Sequence, residues 1–155
     1  MRVLLLADIH SNWHALKAVV EAVGETDACL CLGDVVDYGT DPVPCVDWIR
    51  QHADAIVRGN HDHAVAQRVP PRSGAGLRRL AAATRPLHWE QLDQSQQRFL
   101  RRLPTTMRVI LENRSFFMVH ATPRDPLDEY LTDDPDAWEQ RLDGIDSDLV
   151  CAGHS

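Results

Sequence analysis

Apolar residues gather in six short runs, at residues 3–7, 28–32, 55–57, 107–111, 116–119 and 149–152, each of strand length and bounded by polar or turn-forming positions. Helical spacing fills several of the gaps. Ser11 is placed to cap a helix that lines up Trp13, Leu16, Val20 and Val23 and stops at Gly24. Asp41-Pro42 and Asp134-Pro135 carry a cap-then-proline start, the first leading to Cys45, Trp48 and Ile49 and the second to Ala137, Trp138 and Leu142. Asp93 or Ser95 can begin a further helix that buries Phe99, Leu100 and Leu103 before Pro104. The front half therefore alternates strand and helix, which by the right-handed crossover rule predicts a parallel sheet covered by helices. The runs at 107–111 and 116–119 are only four residues apart, short enough for an antiparallel hairpin, so strand directions are expected to be mixed. Residues 70–76, rich in proline and glycine, read as a surface loop, and no periodic pattern sets the course of the chain from 68 to 92.

Polar chemistry appears where the apolar runs stop. Five of them end in residues able to bind a metal: Asp8 and His10, Asp34, Asn60 with His61 and Asp62, His120, and His154. In open α/β sheets ligands bind outside the carboxyl ends of the strands, so these side chains are expected to converge. One histidine after a strand means little, whereas five coincident strand ends, three with an adjacent glycine, point to a metal site. Asp8, His10, Asp34, Asn60, His120 and His154 offer carboxylate, amide and imidazole donors. That set suits manganese, iron, zinc, cobalt or nickel better than calcium and lacks the thiolates of structural zinc. Six ligands exceed one tetrahedral ion but suit two divalent ions sharing a carboxylate, and manganese is the expected metal. His14, His52 and His88 have no such company and are expected at the surface.

Composition sharpens the picture modestly. The 155 residues are 44% hydrophobic and 25% charged, as expected of one globular domain spanning 1–155 with its own core. No run approaches the length of a membrane span, and the N-terminus lacks a signal-peptide pattern, so a cytoplasmic location is expected, which suits four cysteines without zinc or disulfide spacing. A formal charge of −7 disfavours bulk nucleic-acid or membrane binding. The charge is segregated. Arginines 68, 72, 78, 79, 85, 98, 101, 102 and 108 face only Glu90 and Asp93 in their segment, whereas 125–148 carries ten carboxylates against Arg141. Each block reads either as a solvated helix face or, for the arginines, as an edge that receives phosphate groups. Oligomeric state has no signature in the sequence.

Asp8-Ile9-His10-Ser11-Asn12, Gly33-Asp34 through Asp37-Tyr38-Gly39, Gly59-Asn60-His61-Asp62, His120-Ala121 and Gly153-His154, in that order, resemble the calcineurin-like metallophosphoesterase superfamily. The resemblance implies a four-layer α/β/β/α sandwich with mixed sheets. It also implies that Asp8 and His10 bind one metal, that Asn60, His120 and His154 bind a second, and that Asp34 bridges them. By the same resemblance, hydroxide activated between the cations attacks phosphorus, while His61, oriented by Asp37, protonates the leaving oxygen. Asp62 and His63 read equally well as supporting partners or as a turn cap and a solvated imidazole. The family's last motif continues to a second histidine one position beyond Ser155. A fragment with an incomplete second sheet is therefore expected, or else a natural short form. Tyr38 and Asp62 stand where the protein serine/threonine phosphatase branch carries arginine and glutamate, so the sequence is more similar to the bacterial small-molecule branch, with its phosphodiesterases and diadenosine-tetraphosphatase-like enzymes. The implied activity is hydrolysis of a small phosphorylated substrate, a phosphodiester, nucleotide or polyphosphate; the alternative is a scaffold that keeps the fold without the catalysis.

Overall fold

The computed structural model describes residues 1–154, in two three-stranded sheets and six helices. The first sheet joins β1 (Val3–Leu6), β2 (Ala28–Cys31) and β3 (Ala55–Ile56), all parallel, with β2 in the middle. Helices α1 (Trp13–Val23) and α2 (Pro42–His52) make the crossovers, and α3 (Asn60–Ala66) follows β3 at once. Then come α4 (Leu77–Gln91) and α5 (Gln94–Arg102). The second sheet holds β4 (Thr106–Leu111), β5 (Arg114–Val119) and β6 (Leu149–Cys151), with α6 (Pro135–Leu142) before β6. Mixed strand direction is confined to this sheet, where β5 pairs antiparallel with β4 and parallel with β6. The β4–β5 hairpin closes on Glu112 and Asn113, both at positive φ, the left-handed pair that matches strand twist.

Period-two alternation divides β2 between two cores. Cys29 and Cys31 face helices, packing with Leu16 of α1, Val46 and Ile49 of α2 and Leu100 of α5. Leu30 faces the opposite way, toward Phe116 and Met118 of the second sheet. All four β2 residues are buried, as a strand covered on both faces requires. By contrast α6 contributes no buried residue, so the fourth layer is thin. Among the described residues no helix is long and apolar enough to cross a membrane.

Three local expectations change. The cap of α1 is Asn12, whose side chain accepts from the Ala15 N–H, while Ser11 is buried at φ 52° in the preceding loop. Helix α4 occupies the stretch without periodicity, because the face it buries is Ala81, Thr84, Arg85 and His88, three of them polar. His88 is 1% exposed and belongs to the interior, where it is hydrogen-bonded at both nitrogens, not to the surface.

Pairing between β1 and β2 continues past the strands. The N–H groups of Asp8, His10 and Ser11 donate to the carbonyls of Gly33, Asp34 and Val35. The loops after β2 and β3 touch at two glycines: a Cβ on Gly59 would sit 2.0 Å from Asp34 Oδ1 and 2.5 Å from the Asp34 amide nitrogen. Only hydrogen fits between them. Gly59→Ala is therefore expected to lower the thermal midpoint and weaken metal uptake together; a variant with unchanged melting and metal content would contradict that contact.

Candidate metal centre

Each candidate ligand sits just past a strand, on backbone that turns sharply. Asp8, His10, Asp34 and His154 adopt φ of 54°, 49°, 55° and 58°, the left-handed region that non-glycine residues enter only when the surrounding structure holds them there. Such strain gathers at functional sites, and here it bends side chains from β1, β2 and β6 onto one rim. Asn60 opens α3 and His120 directly follows β5.

Six side chains predicted from separate motifs meet. Asp8, His10 and Asp34 form one group whose ligating atoms lie within 4.8 Å of one another, and Asp34, His120 and His154 form a second, with Asp34 common to both. His120 Nε2 lies 3.3 Å from Asp34 Oδ2, 3.2 Å from Asn60 Oδ1 and 3.0 Å from His154 Nδ1. His10 Nε2 lies 3.7 Å from Asp34 Oδ2 and 3.9 Å from Asp8 Oδ1.

Backbone carbonyls decide which nitrogens face the site. Leu32 O, 2.8 Å from His120 Nδ1, can only accept, so Nδ1 carries the proton; Val36 O does the same for His10 Nδ1 at 3.2 Å. Nε2 of each ring is left to point inward. Two backbone groups donate into the cluster, the His61 N–H to Asp34 Oδ1 at 2.8 Å and the His154 N–H to Asp8 Oδ2 at 3.2 Å, but among the six side chains themselves acceptors outnumber donors, an excess that in a buried place favours a cation. A proton serves in part. Burial opposes charge on His120, but the hydrogen bond and charge of Asp34 raise it to about 9. Burial likewise opposes ionisation of Asp34, yet His120, His61 and His10 hold its carboxyl below the ordinary value. His154 Nε2 is buried without a partner. The donor set therefore fits divalent ions.

Asp62 resolves as a structural hub. Its fully buried carboxylate accepts from the N–H groups of Asp34, Val35, Val36 and Gly59 at 2.8 to 3.2 Å, tying the β2 loop to the start of α3. Burial and the charge of Asp34 push it up to about 7 against the pull of those donors. His63 is half-buried with Nδ1 3.4 Å from Arg58, while His14 and His52 are exposed as expected.

His61 Nδ1 donates to Asp37 Oδ2 at 2.7 Å, and Nε2 stands 3.0 Å from the Tyr38 hydroxyl. Arg85 Nε donates to the same Asp37 oxygen at 2.9 Å, with Nη2 also bonded to it. His88 accepts from the Asp37 N–H and donates to Gly39 O, a neutral tautomer that burial favours. Burial would raise Asp37, but the hydrogen bonds from His61 and Arg85 outweigh it and hold the carboxyl below its usual range. Arg85 and His88 are the site residues that sequence reasoning missed. Their only signal is a spacing of one helical turn, and nothing in one sequence says that this turn faces inward. Tyr130 completes the rim, its ring 3.9 Å from that of His154.

Residues 1–155 match the family model described as the calcineurin-like phosphoesterase superfamily domain. The chain is 30% identical to an uncharacterized protein of Methanocaldococcus jannaschii, over 99% of this chain and 61% of that protein. A metallophosphoesterase from Sphaerobacter thermophilus has a similar solved structure, at TM-score 0.79 and 33% identity over 99% of this chain and 60% of its own. A hypothetical protein from Pyrococcus horikoshii OT3 shares the fold at TM-score 0.79 and 23% identity, over 97% of this chain and 68% of that one. The chain thus spans about three fifths of the length of the first two.

Removing Arg85 leaves Asp37 a buried carboxylate with His61 as its one side-chain partner. Arg85→Ala is expected to cost about 3–5 kcal/mol of stability at neutral pH. Because Asp37 is held below its unfolded-state value, its ionised form stabilises the fold above the ordinary carboxylate range, and that contribution disappears as pH falls through the folded value. The gap in melting temperature between wild type and variant should therefore narrow in acid; a gap independent of pH would contradict the ion pair.

Proposed function

The chain belongs to the calcineurin-like phosphoesterase superfamily, and from that membership we propose that it is a metal-dependent hydrolase of small phosphoesters, acting in the cytoplasm on a phosphodiester, nucleotide or polyphosphate. The observation that carries this reading is the meeting of six side chains of metal-binding type at one rim, with Nε2 of His10 and His120 turned inward and His154 Nε2 buried without a partner. Asp8 and His10 would hold one divalent ion, Asn60, His120 and His154 another, and Asp34 both. Manganese is the preferred candidate, since carboxylate, amide and imidazole donors together suit it. When bound, the ions supply positive charge for the phosphoryl oxygens and make water acidic enough to attack near neutral pH.

The protein's own residues do the rest. Asp37 holds the Nδ1–H of His61, which turns Nε2 toward the cleft as the atom that gives a proton to the leaving oxygen. Arg85 and His88 position Asp37 through its carboxylate and its backbone, so these two α4 residues act through Asp37 as positioning residues. Tyr38, whose hydroxyl meets Nε2, occupies the place where that oxygen would arrive. A scaffold has no use for a buried imidazole nitrogen left without a partner, as His154 Nε2 is, and that alternative is not favoured.

Hydrolysis of bis(p-nitrophenyl) phosphate should require added manganese and stop on chelation. His61→Ala should lower kcat by about 10²–10⁴-fold while keeping metal bound, and Asp34→Asn should lose metal measured by mass spectrometry. Turnover that survives chelation, or a fully active His61→Ala protein, would remove the mechanism.

A further inference from the structure

Two openings flank Tyr38 and differ in charge. One, of about 610 Å³, is bordered by Asn60 and His61 together with Arg72, Arg78 and Tyr130. The other, of about 420 Å³, is bordered by Asp8, His10, His14 and Asp41, with no arginine or lysine. Arg85 also reaches the larger opening, but its guanidinium is committed to Asp37 and the Val69 carbonyl. Arg72 and Arg78 are exposed, and among the described residues neither is joined to another by a hydrogen bond or ion pair. Asp128 is the one carboxylate on that border among the described residues.

We infer that the larger cleft is a leaving-group subsite, and that the arm it receives carries a phosphate of its own. The assignment rests on the phosphoester-cleaving reading, because His61 is what makes this the leaving side. In that step a water oxygen bonds to phosphorus and gives up a proton to solvent, the bond from phosphorus to the leaving oxygen breaks, and the freed electron pair takes the proton of His61 Nε2, which solvent then restores. An arm departing past His61 enters a space bordered by two unpaired guanidiniums, whose flat forks match phosphate oxygens two at a time. The rings of Tyr38 and Tyr130 give the same arm apolar sides. The smaller opening offers an anionic arm no arginine or lysine and the carboxylate of Asp41, so the arm is drawn instead toward Arg72 and Arg78. The substrate class is therefore doubly phosphorylated, an ester or anhydride whose departing portion keeps a second phosphate, and plain alkyl or aryl phosphates are poor substrates.

The test compares bis(4-methylphenyl) phosphate with bis[4-(phosphonomethyl)phenyl] phosphate, the same diester without and with a second anion on the departing phenol. Manganese-loaded wild type should prefer the phosphonate ester by about tenfold in kcat/KM, mainly through KM, and Arg72→Ala/Arg78→Ala should bring that preference near one. Independently, calorimetric titration of 4-(phosphonomethyl)phenol into metal-free protein should show binding that the double variant weakens about fivefold or more and that added salt suppresses. Equal preference in wild type and variant, with no difference in binding, would overturn the subsite and leave the hydrolase standing. Neither ester cleaved, with the binding difference intact, would overturn the leaving-group assignment together with the hydrolase reading.

Discussion

The fold depends on holding side-chain acceptors against one another. Asp34, Asn60, His120 and His154 converge within hydrogen-bond distance, where acceptors outnumber the protons available to them. Left to itself such a cluster repels, so something rigid must hold it. Asp62 does so by gathering four backbone N–H groups, three from the loop that carries Asp34 and one from the turn that delivers Asn60. Gly33 and Gly59 allow those two loops to touch, and the extended β1–β2 pairing brings Asp8 and His10 alongside. The strain of four candidate ligands at positive φ is the cost of bending them to a common point, which a bound cation would offset.

A second layer of polar interior supports the pair of His61 and Asp37. Helix α4 buries an arginine and a histidine where a helix ordinarily buries leucines, and both grip Asp37. An apolar face would pack as well but could not keep that carboxylate ionised, nor leave His61 Nε2 turned to the cleft. Packing density and chemistry thus pull in different directions along this helix, and chemistry has prevailed in its buried stripe. The arginine-rich segment consequently splits by burial: Arg85 works inside, whereas Arg72 and Arg78 border the opening. The acidic segment from 125 to 148 makes its own local structure, with Glu129 bound to Arg141 of α6 and to Thr122.

The strands and most helix starts were legible because they follow from local physics. Alternation and apolar runs placed all six strands within a residue or two, and Pro42, Asp93 and Pro135 marked helix entries where the chain makes them. The convergence of the candidate metal-binding side chains was legible for another reason: strand ends in such sheets share an edge, so polar residues at five of them had to meet. Helix α4 was not legible, since its inward face is polar and Pro86 interrupts its pattern. His88 was misplaced on the surface for the same reason. A single histidine looks alike in water and in a core until the chain that packs on it is known.

Residue order alone therefore determined the strands, the parallel first sheet and which atoms could bind metal, because each rests on periodicity, element alternation or side-chain chemistry within a short span. Tertiary structure alone decided that Asp62, besides capping the turn at Gly59, is a hub for the β2 loop, that Arg85 and His88 stand behind Asp37, and that Tyr38 meets His61. Those outcomes depend on contacts between residues as far as 51 positions apart, whose geometry is set by the packing of whole elements and not by any local preference.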